Sequence, residues 1–302
     1  SGVLECDYCG SRFSVEDIDR MYAEKNADAQ AASEEREAKQ TVHEAAWDME
    51  SAGEQWGEDE DSLNVYNCPS CGAELVCDKP TAAPACPYCG NPSIIPGKLS
   101  GDKKPELIIP FQVDKKAAIA ALKQHYRNKP LLPKAFKAEN HIQEIKGVYV
   151  PFWLFDAQVD GDMTFKTTRV HTHTTSKEII TETDHYLVHR SGTLDFQNVP
   201  VDGSSQMPDG HMDAIEPFDY SGMKPFSLSY LPGFLADQYD VSKDECIKRA
   251  NNRCSNSTDD ALRGAVLGYD TCVTTSKDIS ITPKRVRYAM MPVWLLSTQW
   301  KG

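Results

Sequence analysis

The chain has 302 residues, of which 40% are hydrophobic and 25% are charged, an ordinary globular composition that is long enough for two or three domains. It contains no run of about eighteen apolar residues and opens with no signal peptide, so we expect no membrane span. Paired cysteines suited to zinc, together with further single cysteines, indicate a reducing compartment, the cytoplasm. The net charge of −13 is concentrated in residues 16–61, where sixteen acidic and four basic side chains give a net of −12 and leave −1 for the rest. The chain is therefore predicted to carry an acidic arm rather than to be acidic throughout.

Residues 1–14 contain the first motif, Cys6-Asp-Tyr-Cys9-Gly10, a Cys-x-x-Cys pair with no partner pair before it. We interpret this stretch as part of a zinc ribbon whose leading cysteines are absent, which makes Cys6 and Cys9 candidate metal ligands. A free pair that binds no metal is the alternative.

Residues 15–64 form the predicted acidic arm. Good helix formers dominate up to Glu50, but the apolar pattern fades after the first turns, which indicates a solvated helix or a frayed, disordered linker. Trp47 and Trp56 are unusual in so polar a stretch. We expect them to make a loose contact with the arm's own domain, and a role in docking is the alternative.

Residues 65–98 carry the most specific signal, two Cys-x-x-Cys pairs separated by fourteen residues. In each pair a Pro follows the first cysteine and a Gly follows the second, so each pair should turn sharply with a positive φ at the glycine. Four thiolates supplied by two such turns suit the tetrahedral coordination of zinc. We therefore predict a small β zinc ribbon that binds Zn²⁺ through Cys68, Cys71, Cys86 and Cys89.

The charge of this ribbon bears on its partner. Two lysines, Lys79 and Lys98, balance Glu74 and Asp78, so the ribbon is neutral before the zinc thiolates are counted. Nucleic-acid binding needs a basic face that neutralises phosphates. A nucleic-acid partner is therefore not favoured, although the basic stretch from residue 98 to 134 keeps it as the second hypothesis.

Residues 99–302 form the predicted main domain. A helix capped by Asp114 should run from Lys115 to Arg127, because apolar residues recur there at intervals of four. A capping box at Ser242 predicts a helix to about Arg253, followed by a second helix at 259–267. Strands are expected in the remaining apolar segments, which are 107–113, 147–156, a long hairpin at 163–174 and 178–190, and then 269–275, 277–282 and 286–300. The predicted fold class is α+β, with a small zinc ribbon beside a mainly antiparallel β domain.

The main domain also contains an internal repeat of short motifs. Phe111-Gln-Val-Asp114 and Tyr239-Asp-Val-Ser242 each lead into a predicted helix, and a later apolar segment in each half carries Pro-x-Trp-Leu. We expect a duplication of a helix-then-strand unit in which Trp153 and Trp294 are buried at matching places. Chance similarity between two short motifs is the alternative.

Evidence for an enzyme is weak. Four histidines (His171, His173, His185 and His189) fall in the predicted hairpin, where a cross-strand metal site is possible, but a solvated polar face is the commoner case. The chain has no phosphate-binding loop, zinc-protease helix, nucleophile elbow or dinucleotide fingerprint. We predict a protein that is not an enzyme, and an unrecognised enzyme is the third hypothesis.

Several motifs together resemble a known family, the bacterial TFIIB-type zinc-ribbon proteins of the YdjG type, some of which are labelled as similar to the PriA helicase. The resemblance rests on the doubled knuckles and on four further segments: Val150-Pro-Phe-Trp-Leu-Phe-Asp156, Asn198-Val-Pro-Val-Asp-Gly-Ser204, Ile215-Glu-Pro-Phe-Asp219 and Pro292-Val-Trp-Leu-Leu-Ser297. Members are encoded near phage-shock PspA and SPFH-like proteins and carry a C-terminal membrane helix. The resemblance implies a membrane-associated adaptor at the cytoplasmic face, with protein partners in envelope stress and without catalytic residues.

Overall fold

The computed structural model of the chain describes residues 3–5, 12–14, 19–20, 40–79, 81, 85–92, 95–96, 103–127, 129, 131, 133, 142, 144–174 and 178–296. The chain divides into two compact units that alternate along the sequence. The first unit comprises Ser1–Ala45, Gln158–Leu194 and Ser255–Thr282, and the second comprises Ala46–Ala157, Asp195–Cys254 and Pro283–Gly302.

Three α-helices have both ends within the described residues: α1 (Lys115–Arg127), α2 (Asp209–Ala214) and α3 (Lys243–Gly264). Asp19, Arg20 and Ile142 are also helical. Short 3-10 helices occupy Gly57–Ser62, Tyr220–Gly222 and Leu228–Tyr230. The strands are β1 (Val3–Glu5), β2 (Arg12–Ser14), β3 (Gln40–His43), β4 (Leu63–Asn67), β5 (Glu74–Asp78), β6 (Ile95–Pro96), β7 (Leu107–Ile108), β8 (Lys146–Thr174), β9 (Ile179–Asp202), β10 (Lys224–Pro225), β11 (Leu235–Asp237) and β12 (Thr271–Leu295).

Ten of these strands form one mixed sheet in the order β10-β7-β12-β8-β11-β5-β4-β6, with β3 beside β12 and β9 beside β8. The remaining two, β1 and β2, form a separate antiparallel pair. The predicted hairpin at 163–190 lies within β8 and β9, which continue well beyond it. The three short strands expected after residue 268 are a single strand, β12, of 25 residues.

The expectation of a small zinc ribbon beside a separate, mainly antiparallel domain is wrong. The ribbon strands β4, β5 and β6 belong to the large sheet, because β5 pairs with β11. Parallel pairs of β11 with β8, and of β12 with both β7 and β3, make this sheet mixed. The reason lies in β5, where Leu75, Val76 and Cys77 are all buried. A strand that is apolar on both faces needs cover on both sides, which a ribbon of this size does not provide by itself.

The two halves of the predicted internal repeat occupy equivalent positions in the sheet. Each half runs from a short strand through a helix to a long strand, as β7, α1 and β8 in one and as β11, α3 and β12 in the other. Each short strand pairs in parallel with the long strand of the other half, Leu107 facing Ala289 and Leu235 facing Val148. Ala289 and Val148 both precede the tryptophan of Pro-x-Trp-Leu by five positions. The two registers are therefore equivalent, which supports a duplication with exchanged short strands.

The tryptophans of the two halves differ in burial. Trp153 is 1% exposed, as expected, whereas Trp294 is only half-buried. Trp153 packs against the rings of Tyr239 and Tyr288. The position that corresponds to Tyr288 in the other half is Gly147, and the ring of Trp294 contacts Phe111 and Phe234 edge-on instead.

A single helix, α3, replaces the two helices predicted between 243 and 267. Asn, Ser and Thr from Asn251 to Thr258 favour a break by their low helix propensity. The helix continues because every fourth residue along it is buried, in a stripe made of Cys246, Ala250, Cys254, Thr258 and Leu262. Tertiary packing of this stripe outweighs the local preference.

In the predicted acidic arm, Asp19 and Arg20 are helical and exposed, as expected, but the arm from Gln40 onward is not a solvated helix. Gln40–His43 form β3, and in the following segment Ala45, Trp47, Met49 and Ala52 are buried. The Trp47 indole N–H donates to the Asn251 side-chain oxygen at 2.8 Å, and its ring meets Phe155 edge-on. We call residues 46–54 the strap. Trp47 anchors the strap firmly, because its ring is buried and its polar atom is satisfied.

Candidate metal centre

The two Cys-x-x-Cys pairs form the same turn. In the first, the amide of Gly72 donates to the carbonyl of Cys68 at 2.9 Å, and the Cys68 amide donates to Ala73 at 2.9 Å. The second repeats both bonds, from Gly90 to Cys86 at 3.1 Å and from Cys86 to Asn91 at 2.9 Å. Gly72 and Gly90 have φ values of +78° and +73°. Positive φ at these positions explains why glycine follows each pair, as the sequence predicted.

The turns bring all four predicted sulfur atoms together. The Sγ atoms of Cys68 and Cys89 are 3.5 Å apart, and those of Cys71 and Cys86 are 3.7 Å apart. All four lie within 4.8 Å of one another. Four thiolates around a tetrahedral zinc at about 2.3 Å would stand roughly 3.8 Å apart. The cluster therefore has the size that a tetrahedral thiolate site requires.

The protonation of these thiols is uneven. Burial disfavours the thiolate of Cys68, but the amides of Cys71 and Ser70 and the neighbouring thiols outweigh burial and lower the pKa of Cys68 to about 6. Burial raises the pKa values of Cys71 and Cys86. Four sulfurs this close together cannot all ionise without a cation, so the donor set suits an ion that displaces the protons.

The second turn is tied to the sheet by a buried polar network that sequence analysis missed. The Tyr88 hydroxyl donates to the Asp237 carboxylate on β11 at 2.6 Å, and the Ser204 hydroxyl donates to the same oxygen at 2.5 Å. Asp237 is 2% exposed and Ser204 is 1% exposed. Burial raises the pKa of Asp237 to about 7, against the effect of these two donors. No local sequence pattern predicts this network, because Tyr88 and Asp237 are 149 residues apart and Ser204 and Asp237 are 33 residues apart.

The other predicted site residues do not join the cluster. Cys6 and Cys9 lie outside the described residues, although β1 and β2 on either side of them pair antiparallel. Cys77 is buried on β5 and its thiol donates to the carbonyl of Thr81 at 3.1 Å. Among the described residues, the four-cysteine cluster is the single group with metal-binding spacing.

The hairpin histidines have other partners. The His189 ring is 2.8 Å from Asp162, and the His171 ring is 3.9 Å from Asp184, with all four side chains largely exposed. These contacts are solvated pairs, and no metal-binding group that includes a histidine occurs in the described part of the chain. The commoner interpretation of a polar hairpin face therefore fits these histidines.

No helix within the described ranges has the length and apolar content needed to cross a bilayer.

Comparison with known proteins identifies the family. A protein of Bacillus subtilis (strain 168), described as "Uncharacterized protein YdjG", is 33% identical to this chain over 285 residues, which cover 78% of this chain and 84% of that protein. The chain belongs to the YdjG family. No known family profile matches it, and no solved structure does. The resemblance noted from the sequence is thus supported as a YdjG relationship over most of the chain.

Proposed function

We propose that this YdjG-family chain is a non-enzymatic scaffold whose four-cysteine cluster holds a structural Zn²⁺. The observation that carries the proposal is the convergence of four sulfur atoms within 4.8 Å from two equivalent turns. Zinc bound to four thiolates has its coordination complete, which is the pattern of structural rather than catalytic sites. The ion would neutralise the thiolates and join the two turns.

The position of the cluster supports a structural role. The first turn links β4 to β5, and the second lies between β5 and β6. β6 and β4 contribute the last two strands of the large sheet, and β6 has only two residues. So short a strand gains little from its own packing, and a metal that fixes the preceding turn would hold it in register.

Protein partners fit this surface better than nucleic acid does. The ribbon segment is neutral by side chains, and zinc bound by four thiolates would add a net charge of about −2. Phosphate binding would need the opposite sign. An adaptor role is therefore the function that we infer, with TFIIB-type zinc binding as its structural basis.

The finer form of the proposal follows from the family resemblance alone. It places the protein at the cytoplasmic face of the membrane in an envelope-stress response, with PspA-like or SPFH-like partners. A membrane-spanning segment would then have to come from outside the described residues.

Metal analysis of the purified full chain tests the zinc assignment. We expect zinc at this site, and Cys86→Ser should lose it because three thiolates no longer complete the tetrahedron. Cys272→Ser is the matched control, since Cys272 is half-buried and lies outside the cluster. Unchanged zinc in Cys86→Ser, with zinc also unchanged in the control, would refute the assignment.

Nucleic-acid titration tests the choice of partner. Duplex and single-stranded oligonucleotides should bind no more tightly than the ~10⁻⁴–10⁻⁶ M of non-specific association at physiological salt. Fluorescence anisotropy at two salt concentrations measures this. Submicromolar binding that weakens steeply with salt would replace the adaptor proposal by a nucleic-acid function.

A further inference from the structure

A cleft of about 770 Å³ opens in the second unit beside the second cysteine turn. Its walls include Trp294 and Phe234 on the apolar side, and on the charged side Lys115 and Lys146 together with the acidic Asp114 and Glu144. Lys115 is exposed at the start of α1, whereas the ammonium of Lys146 donates to the carbonyl of Ala85 at 3.0 Å. The cleft therefore combines an aromatic wall with one lysine free to meet a ligand.

The duplication identifies the counterpart of this cleft in the other half. Asp114 and Ser242 cap α1 and α3 in the same way, each accepting from the amide three residues later. Counting from these caps, Lys115 corresponds to Lys243. Counting from the paired positions on β8 and β12, Trp294 corresponds to Trp153. Phe234 corresponds to Glu106, because Phe234 directly precedes β11 and Glu106 directly precedes β7.

The counterpart surface is occupied by the strap. Glu50 of the strap forms an ion pair with Lys243, and its backbone carbonyl accepts from Lys103 at 2.7 Å. The amide of Gly53 donates to the Glu106 carboxylate at 2.8 Å. Met49 and Ala52, on either side of Glu50, are buried. In this half, then, the strap bends at residues 50–53 and places a carboxylate on the lysine, with buried apolar side chains on either side of it.

We propose that the cleft is a binding site for an acidic peptide segment of a partner protein. Such a segment would lie as the strap does, with a carboxylate on Lys115 and an adjacent apolar side chain against Trp294 and Phe234. Glu106 accepts from a backbone amide of the strap, whereas its counterpart in the cleft is the apolar Phe234. We therefore expect the bound peptide to place an apolar group at this position. The inference rests on the adaptor proposal and names the class of segment that the adaptor would take.

Two further features of the cleft fit a peptide. Gly147 stands where Tyr288 covers Trp153 in the other half, and Trp294, whose ring contacts Phe111 and Phe234 edge-on, is half-buried with part of its surface open to a ligand. The Trp294 indole N–H already donates to the carbonyl of Val113 at 3.0 Å. A ligand can therefore cover the ring without leaving this N–H group without an acceptor. Aromatic walls of this kind are common anchors for peptide side chains.

The test uses a fluorescent peptide with the sequence of residues 44–55, which contains the strap's Met49, Glu50 and Ala52, titrated into the full chain. We expect saturable binding that Lys115→Glu weakens about tenfold or more, because the ion pair becomes a repulsion. Lys116→Glu is the matched control, being the next residue of the same helix and not a residue of the cleft wall. Both substitutions put an acidic residue in the first helical turn, where it is tolerated.

Three outcomes decide the inference. A peptide with Glu50 replaced by Lys should lose its affinity for the wild-type chain but regain affinity for Lys115→Glu, which supports the pairing directly. No binding of the acidic peptide, or equal weakening by Lys115→Glu and Lys116→Glu, overturns it. Zinc content is measured on the same samples. A chain that contains zinc but does not bind the peptide overturns the peptide inference alone, because its structural zinc site is retained. A chain without zinc contradicts the proposed function.

Discussion

The two cysteine turns have the same local geometry but different surroundings. Each has the same pair of backbone hydrogen bonds and a glycine with positive φ, yet they differ in the residue that precedes the second cysteine. In the first turn this residue is Ser70, which is exposed, and in the second it is Tyr88, which reaches the buried Asp237. The backbone of such a turn is decided locally, whereas its attachment to the sheet depends on one side chain. We therefore expect the second turn to be the anchored half of the metal centre.

The largest effect should come from the charge of Asp237. Its pKa is raised to about 7 in the folded protein, against about 3.9 when unfolded. The folded state therefore binds the extra proton between these values, and the stability that this gives is full at low pH and lost as pH rises through 7. Between pH 5 and 8 the loss amounts to at most about 3 kcal/mol.

Urea unfolding of the wild type and Asp237→Asn across this range measures the effect. The amide cannot ionise, so the stability of the variant relative to the wild type should increase as pH rises. Loss of zinc in acid affects both proteins and cancels in their difference. Curves that stay parallel from pH 5 to 8 would show that Asp237 does not titrate there.

Loss of the Tyr88–Asp237 hydrogen bond should have an intermediate effect on stability. Tyr88→Phe removes the hydroxyl that donates to Asp237 and leaves a buried acceptor with one donor fewer, which costs about 1–3 kcal/mol. Ser70→Ala changes an exposed residue at the same place in the first turn and should change stability by less than about 0.5 kcal/mol. Chemical denaturation of the zinc-loaded proteins compares the two. Equal losses would mean that the second turn is not specially anchored.

The smallest effect should be the same in both turns. Gly72→Ala and Gly90→Ala each place a Cβ on a residue with positive φ, which costs roughly 1–2 kcal/mol. No atom lies within 4 Å of either added Cβ, so the cost should come from the backbone alone. Thermal unfolding of the two variants should give matching shifts. A clear difference between them would show that the turns are not locally equivalent.

Local patterns predicted the parts of the molecule that depend on neighbouring residues. The cap at Asp114 and the spacing after it give α1 with its observed bounds, Lys115–Arg127. The glycines after the cysteine pairs predict their turns, and the repeated Pro-x-Trp-Leu predicts two strands at equivalent registers. Each of these features is determined by residues within about one turn or one strand.

Features that depend on distant partners were not predicted. The ribbon joins the large sheet through β11, more than 150 residues from β5, and no property of β5 alone names that neighbour. The strap was predicted as solvated because its charges conceal the alternate burial of Ala45, Trp47 and Met49. The same limit applies to the cleft, whose lining residues come from five separate parts of the sequence.

The exchanged short strands bear on the history of the fold. β7 pairs with β12 and β11 pairs with β8, so the short strand of each half pairs with the long strand of the other half. A single strand-helix-strand unit would leave its short strand unpaired, but two identical copies could satisfy each other around a two-fold axis. The present chain has the form that gene fusion would give to such a symmetric dimer. After such a fusion the two helix-strand surfaces would be free to diverge; in this chain the strap covers one, and the other has an open cleft.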